Sequence, residues 1–203
     1  PTREHVIEVV IHLAEREGEA ALNMRSGAAA LGVSPKLLYT HVSGKDELFE
    51  LAASAILKSL HLPDPALPWP DRLAAILRAG RTLLRRYAGI AEWPLTRGLQ
   101  SQSSPAIRRL TGAVVSCLTE AGLTEVQARR FFSFYEAFML GELMIKKSRA
   151  TERGKTQAGR QPEEIDDGFE AGVRFAIAGI QAVAYAQGIP PQQTSPLAAR
   201  AAR

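Results

Sequence analysis

The side chains best placed to do chemistry form a cationic stretch near the amino end. Between Ala20 and Lys45 the sequence contains no Asp or Glu, while Arg25, Lys36, His41 and Lys45 all fall there. Cations without interleaved acids suit a polyanion, because their fields add instead of cancelling. The rest of the reactive inventory is thin. Four histidines, His5, His12, His41 and His61, show neither His-x-x-x-His nor Glu-x-x-His spacing, so helix-borne zinc or di-iron ligands have no obvious source. The one cysteine, Cys117, excludes a disulfide within the chain and suits a reducing compartment. No Gly-x-Ser-x-Gly, dinucleotide fingerprint or catalytic carboxylate pair occurs. The expectation is a chain that is not an enzyme and needs no cofactor or metal.

Placement of charge says more than its sum. The whole chain carries 25 Lys and Arg against 21 Asp and Glu, a net charge of +4. Residues 1–60 are slightly acidic, with six basic and eight acidic side chains, yet those acids lie outside 20–45. A second basic run, from Lys146 to Arg160, borders Gly154, Gly159 and Pro162 and reads as a solvated loop. With 203 residues, 46% hydrophobic and 23% charged, the chain can bury a sizeable core in one large domain or two small ones. Its first residues lack the basic-then-apolar order of a secretion signal, so the cytoplasm is the expected location. Phe169 to Ala186 still carries Glu170, Arg174 and Gln181 and reads as a buried helix, not a membrane span.

Four helices must position the cationic stretch. Val6, Ile7, Val10, Ile11, Leu13 and Ala14 recur at helical spacing between a Thr2 cap and Gly18. A second helix runs from an Asn23 cap to Leu31, where Gly32 stops it. Ser34-Pro35 then caps and opens a third, reaching about Val42. Ser43-Gly44-Lys45-Asp46 has capping-box spacing, with Asp46 in the acid's place, and opens a fourth helix to about Leu60. Two short helices joined by a tight Gly-containing turn and flanked by supporting helices describe a helix-turn-helix DNA-binding unit. The turn alone also fits an ordinary helical hairpin.

The uninterrupted block from Ala28 to Leu48 settles more. Leu31-Gly32-Val33-Ser34, then Leu38-Tyr39-Thr40-His41, then Lys45-Asp46-Glu47-Leu48 closely resembles the DNA-binding domain of TetR-family transcriptional regulators. The resemblance covers about residues 5–60 and departs at Gly27, where relatives usually carry a bulky aliphatic side chain; glycine there is expected to leave a hole and loosen the second helix. It implies that the helix from Pro35 lies in the major groove, with Ser34, Lys36, Leu37 and Thr40 nearest the bases. It also implies phosphate contacts from Tyr39, His41 and Lys45, and from Asn23 or Arg25 at the start of the second helix. Each has a bland alternative: Tyr39 packing inward, His41 only capping, Lys45 merely solvated. Leu38 and Val42 are expected in the core.

Residues 61–70 carry four prolines and form a boundary. Helices are then expected near 71–87, 89–99 with a break at Pro94, 105–121, 124–149 and 163–187, with a disordered tail from 189. The fold expected is all-α: an N-terminal three-helix helix-turn-helix domain (1–60) and a helical regulatory and dimerisation domain (71–188). Trp69-Pro70-Asp71-Arg72-Leu73 and Phe169-x-x-Gly172 with Gly179 are similar to the regulatory halves of TetR relatives.

The two late helices are apolar on nearly every side and must be covered on two faces. The simplest second cover is another copy of the chain, through Phe134, Phe138, Gly141, Ile145, Phe175, Gly179 and Val183; the alternative is a monomer with two central helices. Such a dimer spaces two recognition helices one DNA turn, about 34–36 Å, apart. The resemblance further implies a small-molecule effector held among the middle helices. The candidates are Trp93, Arg97, Cys117, Phe132, Tyr135, Glu136 and Met139, which as an aromatic and methionine stripe also read as plain core. The resulting expectation is an effector-released repressor on a double-stranded DNA operator, with a helical homodimeric architectural protein as the rival.

Overall fold

The computed structural model describes residues 2–17, 23–87, 90, 104–153 and 162–190, with the side chains of 146–153 and 162–167 left aside. Among them the chain forms eight helices and no strand: α1 (Arg3–Glu17), α2 (Met24–Ala30), α3 (Pro35–Leu38), α4 (Lys45–Lys58), α5 (Trp69–Arg86), α6 (Pro105–Glu120), α7 (Glu125–Arg153) and α8 (Pro162–Ala186). None is long and apolar enough to cross a membrane. The all-α expectation holds. The helix expected over 89–99, together with Trp93 and Arg97, lies outside the described residues except for Ile90.

Two compact units divide the chain: Pro1–Leu60 with Gly80–Leu110, and His61–Ala79 with Thr111–Arg203. In the first, Val6, Val10 and Ala14 of α1 meet Ala28 of α2, Leu38, Val42, and Leu48, Phe49, Ala52, Ala53 and Ile56 of α4. Ile90 joins this core, with Leu83 and Tyr87 packed against it, which is why the 80–110 segment belongs here. Polar contacts fasten the same segment. Arg86 Nε donates to Glu15 at 2.6 Å, and Ser54 and Ser104 share a hydrogen bond of 2.9 Å. The Arg109 guanidinium donates to the carbonyls of Leu57, Lys58 and Leu60 at 3.2, 3.3 and 2.7 Å. Those carbonyls lie at the C-terminal end of α4, where a cation suits the helix dipole.

The second unit buries Trp69, Leu73 and Leu77 of α5, Val114, Cys117 and Leu118 of α6, Ala128, Phe132, Met139 and Leu143 of α7, and Phe169, Val173, Ile180 and Ala184 of α8. Arg78 grips Glu170 through Nε and Nη2 at 2.9 and 2.7 Å, and Arg72 pairs with Glu120. Gly122 ends α6 with φ of 99°, letting Leu123 N–H donate to Leu118 carbonyl at 3.0 Å.

Several boundaries shift from those the sequence predicts. Helix α5 starts at Trp69, two residues early, because proline is tolerated in a first turn where its missing N–H has no helical partner. Helix α7 runs on to Arg153, four residues past the expected end at 149 and into the basic run read as a solvated loop; nothing in that run before Gly154 breaks a helix. Ile189, expected in the disordered tail, is ordered: its N–H donates to Ala184 carbonyl at 3.1 Å, and its side chain occupies the space a Cβ on Gly122 would need.

The hole expected at Gly27 is no larger than a methyl group. Gly27 is buried, and a Cβ added there would sit 3.5 Å from Leu38 Cδ2 and 3.8 Å from Val10 Cγ2, ordinary contact distances. The neighbours have closed over the glycine, so a methyl fits and a larger group does not. Gly27→Ala should therefore raise unfolding free energy by about 0.5–1 kcal/mol through helix propensity. Gly27→Leu should lower it by about 1–3 kcal/mol through overpacking. Urea denaturation followed by circular dichroism checks both signs.

Candidate nucleic-acid interface

The connection between α2 and α3 is built from local rules. Asn23 caps α2: its side-chain oxygen accepts from the N–H groups of Arg25 and Ser26, each at 3.0 Å, while Asn23 N–H donates to Ser26 Oγ at 3.1 Å. The helix closes on Gly32 at φ 65°, with Val33 N–H donating to Ala28 carbonyl and Gly32 N–H to Ala29 carbonyl, both at 3.0 Å. That pair of bonds needs a left-handed residue, which glycine supplies without strain. Ser34 then caps α3, accepting from Leu37 N–H at 3.3 Å, with Pro35 as first helical residue.

The α-helix proper is shorter than the stretch to Val42 that the sequence suggests. It spans Pro35–Leu38, and the chain continues as tight turns in which Thr40 N–H donates to Leu37 carbonyl and His41 N–H to Leu38 carbonyl. The Thr40 hydroxyl also donates to Leu37 carbonyl, at 2.7 Å. A side chain competing for that carbonyl favours the tighter turn.

Leu38 and Val42 face the core as expected. The opposite side presents Ser34, Lys36, Leu37 and Thr40 to solvent, with Leu37 41% and Tyr39 54% exposed. Tyr39 thus points outward. Asn23, Arg25 and Lys45 are exposed and His41 is half-buried; the Lys45 ammonium lies 5.1 Å from the centre of the Phe49 ring. The hydroxyls of Ser34 and Thr40 and the Asn23 carbonyl oxygen each make an internal bond, so in these residues one group does structural work while Ser34 keeps a donor and Asn23 its amide N–H groups.

One acid differs from the reading by one position. Gly44, not Ser43, is the N-cap of α4, and the carboxylate reaching back is that of Glu47, not Asp46. Its Oε2 accepts from Ser43 N–H and Ser43 Oγ, both at 2.7 Å. The helix starts one residue later than supposed, which moves the third helical position onto Glu47. Those two bonds, with Arg3 beside it, hold the Glu47 carboxyl below the usual carboxylate range. Arg3 is a partner that sequence reasoning did not identify.

In the second unit the effector candidates separate. Cys117, Phe132 and Met139 are buried, and burial pushes the Cys117 thiol up from its ordinary value. The Tyr135 hydroxyl donates to Leu77 carbonyl at 2.8 Å, and its ring lines a cavity of about 330 Å³ whose other walls are Leu77, Phe131, Phe134, Phe138, Phe169, Gly172, Val173, Phe175 and Ala176. Of the five described candidates only Tyr135 lines it. Glu136 stands apart. Burial pushes its carboxyl up to about 7, and among the described residues its Oε1 has no hydrogen-bond partner. The candidate pairing residues lie on surface: Phe134, Phe138, Ile145, Phe175 and Val183 are exposed, Gly141 is half-buried and Gly179 exposed.

Comparison with known proteins agrees with this architecture. A family model described as the tetracyclin repressor-like C-terminal domain matches residues 62–165. A curated relative, an HTH-type transcriptional regulator of Saccharopolyspora erythraea, is 30% identical over 106 residues, which cover 52% of this chain and 45% of that one. The chain's matches span about half the length of such curated relatives. Among solved structures, BioQ of Mycobacterium smegmatis superposes with a TM-score of 0.72 at 22% identity, covering 90% of this chain and 99% of that one. BioQ has also been solved with its double-stranded DNA operator, superposing with a TM-score of 0.69 at 22% identity and covering the same shares. ActR of Streptomyces coelicolor in complex with actinorhodin gives 0.72 at 21% identity, covering 90% and 96%. At these identities the likeness establishes the fold.

Glu136 yields a pH prediction. Its carboxyl titrates near 7 folded and in the ordinary range, about 4.3, unfolded. The folded state therefore holds its proton more tightly. This group costs nothing below the unfolded value, and stability falls as pH rises through the window up to about 7. Glu136→Gln should remove that loss, leaving the variant more stable at pH 8 by on the order of 1 kcal/mol after solvent screening and little changed at pH 4. Thermal melts at the two pH values measure it.

Proposed function

Since the chain belongs to the family of tetracycline-repressor-like transcriptional regulators, we propose that it is a DNA-binding repressor released from its operator by a small apolar or amphipathic molecule. The observation that carries this reading is the outward face of the α2–α3 turn: Ser34, Lys36, Leu37, Tyr39 and Thr40 exposed over a buried Leu38, within a stretch that carries no acid. An aliphatic and an aromatic side chain in water beside cations fit a duplex, which offers thymine methyls and phosphates together.

On this reading α3 enters the major groove. Lys36 reaches guanine O6 or N7, Leu37 packs on a thymine methyl, and Ser34 and Thr40 lie near base edges. Tyr39, His41, Lys45, Arg25 and the Asn23 amide meet phosphates and set the register. The paired carbonyls and buried side chains under the turn make it a rigid presenter. Two copies joined through the exposed faces of α7 and α8 deliver two such helices to one duplex. Function is thus divided at about residue 60, DNA contact before it and pairing and effector binding after it. An effector works by preferring a dimer geometry whose helices no longer match the groove, with a coupling of about 1–3 kcal/mol. The protein acts in the cytoplasm and catalyses no reaction. The rival, an architectural protein with a damaged helix-turn-helix, rests on damage at Gly27, where the gap is only methyl-sized and the caps of the helices on either side of the turn are formed.

The test is binding of the full chain to duplex DNA from the region upstream of its own coding sequence, followed by fluorescence anisotropy across a salt series. Lys45→Ala should flatten the slope of log affinity against log salt by about two counterions per dimer, leaving sequence preference intact. Leu37→Ala should keep the slope and weaken discrimination at a thymine. An unchanged slope for Lys45→Ala removes that side chain from the interface, and absence of salt-dependent binding removes the DNA reading.

A further inference from the structure

The corner where the chain enters α4 carries a charge problem. Lys45, read above as a phosphate contact, is followed directly by Asp46 and Glu47, so the first turn of α4 brings one cation and two acids to the side that would face DNA. Two acids beside one cation repel a polyanion. Glu47 is answered from another helix: its Oε2 accepts from Ser43 N–H and Ser43 Oγ, both at 2.7 Å, and its Oε1 accepts from Nη2 of Arg3, the first residue of α1. Packing fixes where that guanidinium stands. Val6, one turn further along α1, and Leu48, next to Glu47, are buried in the same core. The carboxylate takes only part of the cation, because the Arg3 side chain is still 49% exposed and its Nε and Nη1 have no hydrogen-bond partner among the described residues.

We propose that Arg3 is a further DNA-contacting residue, held at one edge of its guanidinium by Glu47 and meeting a backbone phosphate with the other, beside the phosphate read for Lys45. The inference rests on the DNA reading above and adds to it a contact from α1. A guanidinium presents five N–H donors in a planar fork, so one edge can hold a carboxylate while another takes a phosphate oxygen. Exposure separates contact from simple cancellation of charge. A guanidinium wrapped on the carboxylate would only neutralise Glu47, whereas this one keeps donors in water next to the chain that leaves α3. Its orientation before binding also spares part of the entropy that ordering a long side chain costs. The contact is a phosphate and not a base, so it adds affinity and register without sequence preference.

The experiment measures fluorescence anisotropy on duplex DNA from the region upstream of the chain's own coding sequence, across a salt series. Four forms of the full chain are compared: the parent, Arg3→Ala, Glu47→Gln, and the two changes together. Glutamine keeps an oxygen for Ser43 while removing the charge. Arg3→Ala should flatten the slope of log affinity against log salt by about two counterions per dimer, and by the same amount when made in Glu47→Gln. Circular dichroism shows that each form is folded; if Arg3→Ala loses helicity, Arg3→Gln, which keeps donors and drops the charge, replaces it. An unchanged slope overturns the proposal. So does a slope that falls in the parent background but not in Glu47→Gln, since Arg3 would then serve only as a counter-charge to that acid. A parent that shows no salt-dependent binding removes the DNA reading itself, before any variant is compared.

Discussion

The burial of Leu38 is the contact on which the outward face depends. Helix α3 has four residues, about one turn, and a helix that short has no stability of its own in water. Leu38 is buried in the core formed with Val10 and Ala28, a contribution of about 1.5–3 kcal/mol for a leucine side chain. Val42, four residues on, is buried with it. With those two positions facing in, Ser34, Lys36, Leu37, Tyr39 and Thr40 have only the outside left. The absence of a side chain on Gly27 belongs to the same constraint, because it sets how near α2 lies to Leu38.

The second unit applies the opposite logic. Each of its long helices buries one stripe: Ala128, Phe132, Met139 and Leu143 on α7, and Phe169, Val173, Ile180 and Ala184 on α8. Large apolar side chains remain in water, among them Phe134, Met144, Ile145, Phe175 and Tyr185. Patches of this kind on soluble proteins mark places where something docks. A second copy, as proposed above, would cover both helices at once.

What the sequence made legible was local. Asn23 and Ser34-Pro35 as caps and Gly32 as the left-handed stop needed only neighbours along the chain, and each sits where its chemistry demanded. The one-residue error at Asp46 arose because a glycine can cap a helix with no side-chain bond, which no pattern of polar residues announces. The full length of α3 was overestimated because hydrophobic spacing at Leu38 and Val42 is the same whether the chain between them is α-helical or tightly turned. Gly27 was misjudged for a different reason: composition cannot say how closely backbones approach. The cavity was the least legible part. Leu77 and the Phe169–Ala176 stretch meet the Phe131–Phe138 stretch only through packing between distant helices, so the sequence offered Tyr135 and a phenylalanine-rich run without saying what they enclose.

The most direct measurement is selection of bound sequences from a random duplex library by the full-length chain. The account predicts a two-fold symmetric motif whose half-sites lie one DNA turn apart, about 10–10.5 base pairs between centres, or a multiple of it. Recovery of no enriched sequence, or of a single unsymmetrical half-site by a protein that sediments as a dimer, would contradict it.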